Sequence, residues 1–470
     1  MRNLAIILTI FLAQFFASAV TVSTTAGALS TKVSDRTITA LTVRGTMDAR
    51  DFLFINEELP SLKTLNLSGV TIAQYKPTDP MFFGTLEFPA GEIPAKAFFG
   101  KGYTSVTLPT LLRSIGDGAF AACSSLTTIT LPSSLVRIGN EAFNASALHN
   151  VTIPASVTEM GARSFAGCPS LTRATVNGTV VGKEAFANCP ALTTVTLANS
   201  VKVIGDGAFS GTGNITVSIA SESTLTEIGS RAFQNSGISS FPFSSLHSLS
   251  KIGSWAFAGS ALSEVALGNT VREIGEGAFF YNTNLTSVAL PRTISNVASF
   301  LFAGDNNVAN DSVLLKGHVT VGDYVFYNWD QHTRFVVSST VQEIGSYAMA
   351  GMRNLKKLYA YPRRVPTLGE EVWKGVNQPR ANLYVYGTMV DAFESAPQWM
   401  DFGNIFPYKL LIYDINSDGV VDVTDVVLLA EYVLGDLDAD NFDLEAADID
   451  GSGVTDVNDV VALAGIVMGN

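Results

Sequence analysis

Four histidines and three cysteines in a chain of 470 residues leave little for metal or nucleophilic chemistry. His149, His247, His318 and His332 stand far apart with no motif around any of them, whereas a zinc site or a nucleophile triad needs at least one convergent pair. The cysteines are odd in number, and each lies three residues after a phenylalanine: Phe120-x-x-Cys123, Phe165-x-x-Cys168 and Phe186-x-x-Cys189. That shared spacing is no disulfide framework; it reads as one column of small buried thiols in a repeat. Charge is scarce too, at 15% against 47% hydrophobic residues, which excludes a solvated, disordered chain. Lysine and arginine are missing altogether from Asp414 onward, where fourteen Asp and Glu stand, so the net charge of -13 belongs to that segment. No basic excess remains to attract nucleic acid.

Long apolar runs are confined to the N-terminus. Arg2, the run Leu4 to Phe16 and the small residues Ala17-Ser18-Ala19 read as a secretory signal peptide over residues 1–19. No cysteine follows the run, so a lipoprotein anchor is not expected, and no later stretch reaches the ~18 apolar residues of a membrane span. The expectation is a secreted or cell-surface protein without a transmembrane segment.

What the chain does have is repetition. Ile-Gly-x-x-Ala-Phe returns at Ile115–Phe120, Ile138–Phe143, Ile204–Phe209, Ile228–Phe233, Ile252–Phe257 and Ile274–Phe279, with degenerate copies between. Its last column runs from Phe98 to Trp373 at intervals of 21 to 24 residues, a period that means a solenoid. Each phrase is followed by an alternating segment closed by proline, as in Leu126-x-x-Ile129-x-Leu131-Pro132, Leu148-x-x-Val151-x-Ile153-Pro154 and Leu285-x-x-Val288-x-Leu290-Pro291. The period of two predicts strands. One coil cannot bury its Leu, Ile and Phe alone, so coils stack around a shared core; thirteen at ~4.8 Å make a rod of roughly 60 Å.

This consensus resembles the BspA-like leucine-rich repeats of secreted bacterial proteins over residues 93–380. The resemblance implies an α/β solenoid of stacked strand-plus-turn or helix coils, and adhesion to host proteins, other bacteria or glycans. Residues 20–92, with the phrase Leu62-x-x-Leu65-x-Leu67, form an expected N-terminal cap; residues 381–411, with Trp399 and Phe402, form a C-terminal cap and linker.

Two surfaces of the coils carry patterns. Outward strand positions are rich in threonine, including Thr128, Thr152, Thr175 and Thr196, which suits an exposed strand whatever its function. The fourth position of Ile-Gly-x-x-Ala-Phe is charged at Glu141, Arg163, Glu184, Arg231 and Glu371 and aromatic at Trp255, Phe300, Tyr324 and Tyr347. These four are a candidate ligand platform or, alternatively, a stacking ladder that stiffens the coils. Arg353, Lys356, Lys357, Arg363 and Arg364, beside Tyr359 and Tyr361, read as a solvated face or a contact for an anionic glycan or cell surface.

Twelve-residue loop patterns open at Asp414 and at Asp448, each followed by an apolar helical run. A hard divalent cation takes oxygen ligands from positions one, three, five, seven, nine and twelve, with glycine at six. Those positions hold Asp414, Asn416, Asp418, Val420, Asp422 and Asp425 in one loop, and Asp448, Asp450, Ser452, Val454, Asp456 and Asp459 in the other. The pair resembles a dockerin over residues 412–470. The resemblance implies a small all-α domain with two EF-hand-like loops holding two calcium ions, and docking onto a cohesin-type partner through positions ten and eleven, here Val423, Thr424, Val457 and Asn458. No catalytic residue is nominated. The expected function is non-catalytic binding; a scaffold subunit of a polysaccharide-degrading assembly, or a glycan-active enzyme whose site lacks a motif, are the alternatives.

Overall fold

Ile-Gly-x-x-Ala-Phe holds too few alternating residues for a full strand, and in the computed structural model of the chain its isoleucine ends a two-residue strand while the residues after the glycine form a turn. The structure describes residues 19–77, 87–220, 222–291, 293–305, 307–309, 315, 317–408, 415, 421–435, 447, 449 and 455–468. They fall into two units, one of residues 1–313 with 322–329, the other of residues 314–321 with 330–470.

In the first unit the chain begins as a parallel sheet of Ala19–Thr24, Ala40–Met47, Thr64–Ile72 and Ser105–Thr107, with the helix Ala49–Glu58 between its second and third strands. Asp48 and Asp51 cap that helix reciprocally. Asp51 also accepts the backbone N–H groups of Gly27 and Leu29 at 2.7 and 2.9 Å, tying the preceding coil to the helix. Leu62, Leu65 and Leu67 are buried as the leucine-rich phrase requires.

The following coils are built from two parallel ladders and a turn. One ladder pairs Asn150–Ile153, Arg173–Val176, Thr194–Leu197 and Thr216–Ile219 in register. The other is two residues wide and includes Val180–Val181, Val203–Ile204, Glu227–Ile228, Lys251–Ile252 and Glu273–Ile274. The glycine after this short ladder is required by space: a Cβ at Gly116 would lie 2.5 Å from Ala95 N, and one at Gly161 2.4 Å from Asn140 N.

The turn differs from the helix that the repeat allowed. Its fourth-position residue and the residue four further on both take left-handed φ, as at Glu141 (54°) and Ala145 (54°), or Trp255 (60°) and Gly259 (64°). A right-handed helix cannot pass through two such residues. Their N–H groups, with that of the phenylalanine between them, donate to the next coil: Glu141 to Ala162 O at 2.8 Å, Phe143 to Ser164 O at 2.7 Å and Ala145 to Ala166 O at 2.9 Å. Backbone pairing between coils thus continues around the corner where an alternating strand would have had to end. One expected strand is also missing, since Thr127–Leu131 has no ladder partner and Ile129 is only half-buried.

The phenylalanine column fills the core. From Phe120 to Phe257 the rings stack within 15° of parallel at 4.9 to 5.5 Å. Beside it, three residues after each phenylalanine, runs a buried polar column: Cys123, Ser146, Cys168, Cys189, Thr212, Ser236, Ser260, Asn282 and Asp305. Five of its members donate to the phenylalanine carbonyl of the preceding coil: Cys123 Sγ to Phe98 O (3.1 Å), Cys168 Sγ to Phe143 O (3.2 Å), Cys189 Sγ to Phe165 O (3.2 Å), Ser260 Oγ to Phe233 O (2.9 Å) and Asn282 Nδ2 to Phe257 O (3.0 Å). The cysteines are therefore free, buried and structural, and burial pushes the Cys123 thiol up to about 11.

In the second unit, Arg334–Val337, Lys357–Ala360, Asn382–Tyr386 and Asn404–Tyr408 form a four-stranded parallel sheet. Strand pairing extends past residue 380, into the segment expected to be cap. Trp399 and Phe402 then pack on Trp373, each at 5.3 Å, and Phe393 packs on Trp399 at 5.0 Å. The Gln398 amide accepts from Val372 N at 2.9 Å and donates to Gly369 O at 2.7 Å, standing in for the backbone of a further coil. The C-terminal helices Val423–Val433 and Val457–Val467 share a core of Ile415, Leu429, Ala447 and Leu463. Among the described residues no helix is long and apolar enough to cross a membrane.

Candidate functional site

The two C-terminal helices start where they do because Asp422 and Asp456 are N-caps, each closed into a capping box by the acid three residues on, Asp425 or Asp459. Asp422 accepts from Thr424 N and Asp456 from Asn458 N, both at 2.7 Å. The Asp422 carboxyl is held below its usual range by the Thr424 hydroxyl and then by the Thr424 backbone. Asp425 and Asp459 are fully buried. Asp459 accepts Ile449 N and Asp456 N, each at 2.7 Å, and Asp425 accepts Asp422 N at 2.9 Å.

The remaining expected calcium ligands, Asp414, Asn416, Asp418, Val420, Asp448, Asp450, Ser452 and Val454, lie outside the described residues. Among the described residues no three His, Cys, Asp or Glu side chains converge on a metal position. The donors that are described still fit a hard cation. They are oxygens only, two are buried carboxylates, and residues 414–470 contain no lysine or arginine to balance them.

Position ten of each loop is exposed, Val423 at 62% and Val457 at 60%. Thr424 and Asn458 lie exposed beside them. One turn further, Val427 and Val461 are exposed as well, and so are Leu434 and Met468 at the helix ends. Every one of these pairs is separated by the spacing of Leu429 and Leu463 in the core, so the helix pair shows the same apolar surface twice.

On the turn corner of the first unit Trp255, Phe300 and Tyr324 come together. Phe300 and Tyr324 stack 4.7 Å apart and 5° from parallel. Trp255 lies over Gly277, whose missing side chain makes the room, and reaches Phe300 at 6.1 Å and Phe280 at 5.3 Å. Tyr281 and Tyr327 stand exposed beside the row. Stacked rings turn their faces to one another and leave edges outward. Tyr347 belongs to the second unit, where Lys374 sits over its ring at 5.3 Å.

The sheet of the second unit presents a face whose organisation was not evident from sequence. Inward positions are apolar; outward ones align Val336, Tyr359, Tyr384 and Phe406 in one row and Arg334, Lys357, Asn382 and Asn404 in another. Tyr359 stacks on Tyr384 at 4.8 Å and Tyr384 on Phe406 at 5.5 Å, with the Arg334 guanidinium over Tyr359 and that of Arg363 over Tyr386. The alternation of Tyr359 with Tyr361 and of Tyr384 with Tyr386 was the available signal; the register that joins them was not. The threonines of the first unit serve the framework in part, since Thr172 and Thr193 donate to His149 O and Thr172 O of the preceding coils. A recess beside Phe241 and Phe243 has Glu264 as its only titratable lining residue, too little for acid and base together.

Comparison with known proteins matches this chain to two families. A model of the BspA type leucine rich repeat region matches residues 91–216, 179–309 and 319–383, more than half of the chain. A model of the dockerin type I domain matches residues 412–467. No curated protein matches. Among solved structures, a leucine-rich repeat protein from Bacteroides ovatus is similar at 19% identity and a TM-score of 0.50, covering 74% of this chain and 84% of that one; at this identity it shows the fold alone. The pneumococcal vaccine antigen PcpA is 18% identical with a TM-score of 0.41, covering 70% and 87%.

Proposed function

Because the chain belongs to the BspA-type leucine-rich repeat family and carries a dockerin type I domain, we propose that it is an exported adhesion protein: the repeats recognise a surface ligand and the C-terminal module docks onto a cohesin-type partner in a calcium-dependent way. Neither family is catalytic, and the chain is not an enzyme. Export rests on the signal-like segment of residues 1–19.

The observation that carries the docking half is the duplicated apolar surface, Val423 with Val427 and Val457 with Val461, half or more exposed on helices that have already buried Leu429 and Leu463. Apolar side chains left out of a core on both copies of a repeat favour a protein partner. Calcium, when bound, would supply positive charge to loops whose only charged residues are acids. The two sites proposed for it are those of Asp414 to Asp425 and Asp448 to Asp459, and Asp425 and Asp459 would close them. Calcium would thus offset the acids gathered at both helix starts.

The test is capture of the full chain on an immobilised panel of type I cohesin domains. We expect capture in calcium, loss in chelator, and loss in the Val423→Asp/Val457→Asp double variant. Capture by no cohesin, or capture indifferent to chelator, would sink the docking role. For the repeats, Trp255, Phe300, Tyr324 and Tyr347 remain a proposed ligand platform. The face-to-face stack of Phe300 on Tyr324 favours the ladder alternative for that pair, because their faces are occupied.

A further inference from the structure

We propose that the outward sheet face of the second unit, centred on Tyr359 and Tyr384, binds an acidic polysaccharide. The inference rests on the adhesion role above and gives its ligand a chemical class and a place.

The argument begins with what a strand needs. In the first unit the equivalent outward positions of four paired strands are Thr152, Thr175, Thr196 and Ser218, and small hydroxyl residues suffice to keep a parallel ladder exposed on one face. In the second unit the same positions become Val336, Tyr359, Tyr384 and Phe406. The core gains nothing from them, since it is filled by the alternate residues Phe335, Leu358, Leu383, Val337, Ala360 and Val385. Large rings outside the core, half-buried or exposed on a sheet face, are suited to contact.

Charge points the same way. The four strands and the segment 361–364 contain Arg334, Lys357, Arg363 and Arg364, and no Asp or Glu. A face with one sign of charge over an apolar floor attracts the opposite sign.

Spacing selects a polymer over a small anion. The rings recur at 4.8 and 5.5 Å across the strands, and being stacked they offer edges; the edge of a tyrosine carries its hydroxyl. Two adjacent tyrosine hydroxyls, of Tyr359 and Tyr384, beside two adjacent cations, Arg334 and Lys357, are matched by a linear chain with acidic groups and hydroxyls at short intervals. The sugar ring does not stack here as it would on an open aromatic face. It lies across the row, with hydrogen bonds to the tyrosine edges and its acid groups toward Lys357 and Arg363.

The experiment uses the full chain titrated with polygalacturonate, heparin and neutral dextran, so that carboxylate and sulfate sources are separated. Binding to at least one polyanion and not to dextran is expected, weakening as salt rises from about 50 to about 500 mM. Lys357→Glu/Arg363→Glu should reduce affinity by about tenfold or more, and Tyr359→Ser/Tyr384→Ser by about fivefold or more. Each variant is melted alongside, and each is required to retain the wild-type transition. Phe300→Ser/Tyr324→Ser, on the proposed platform of the turn corner, tests the competing site. Polyanion binding that survives both sheet variants and is lost in the turn variant would overturn this face and leave the adhesion role standing. Binding to neither polyanion, or equal binding to poly-glutamate, would overturn the ligand class. Cohesin capture reports on the docking half separately.

Discussion

Asp305 sits in a column where every other polar member can donate. The residue is fully buried, its Oδ1 accepts the backbone N–H of Asn282 at 2.5 Å, and Oδ2 has no hydrogen-bond partner among the described residues. Burial, only partly offset by the Asn282 backbone, raises its carboxyl well above the usual range. A protonated Asp305 can donate, as Cys168, Ser260 and Asn282 do; an ionised one cannot. The folded state therefore holds a proton that the unfolded chain has released. Its stabilising effect is complete below the ordinary carboxylate pKa of about 4 and is lost as pH rises through the elevated folded value. Asp305→Asn keeps the shape and the Oδ1 acceptor and supplies a permanent donor, as Asn282 does to Phe257 O at 3.0 Å. Leaving a buried polar atom unpaired costs about 1–3 kcal/mol, more when it is charged. The variant should then be more stable than wild type by about that amount near pH 8 and about equal to it near pH 4. Thermal melts of both proteins across that range decide the matter. A wild-type melting temperature that does not fall between pH 4 and pH 8 relative to the variant, or an asparagine variant that is less stable at pH 8, would refute the role given to this carboxyl.

Phe186→Ala removes a ring held between Phe165 at 5.4 Å and Phe209 at 5.5 Å and should cost about 3–5 kcal/mol by urea unfolding. Phe300→Ser/Tyr324→Ser, by contrast, should change stability by only about 0.5 kcal/mol if the turn aromatics are a platform; a melt that drops as far as that of Phe186→Ala would assign them to the framework. Gly161→Ala places a methyl 2.4 Å from the backbone of Asn140 and should destabilise by more than about 1 kcal/mol, whereas Arg231→Gly, at φ 57° on the exposed corner, should stabilise slightly. If both substitutions move the melt in the same direction, the division between crowded and left-handed positions of the turn is wrong.

Much of this architecture was legible in the residues themselves, because a repeat states its own period. Phe98 to Trp373 recur at the coil length, the isoleucines before them mark a second buried row, and Asp422 with Asp425 announces a helix start within four residues. Each signal is local or multiplied by repetition. The three cysteines were placed correctly for the same reason, as members of a column. What sequence left open depends on residues a full coil apart. Glycine before the turn could have meant a positive φ; its true cause, the backbone of the preceding coil, appears only when coils stack. The fourth position looked like an exposed site on a turn or helix, and only the inter-coil hydrogen bonds show why the chain is left-handed there. Asp305 resembles any surface acid until the column beside the phenylalanines takes it into the core. Likewise Tyr359 and Tyr384, 25 residues apart, become neighbours because Lys357 pairs with Asn382 in a parallel register, and a register is set by the packing of whole coils rather than by any short stretch of chain.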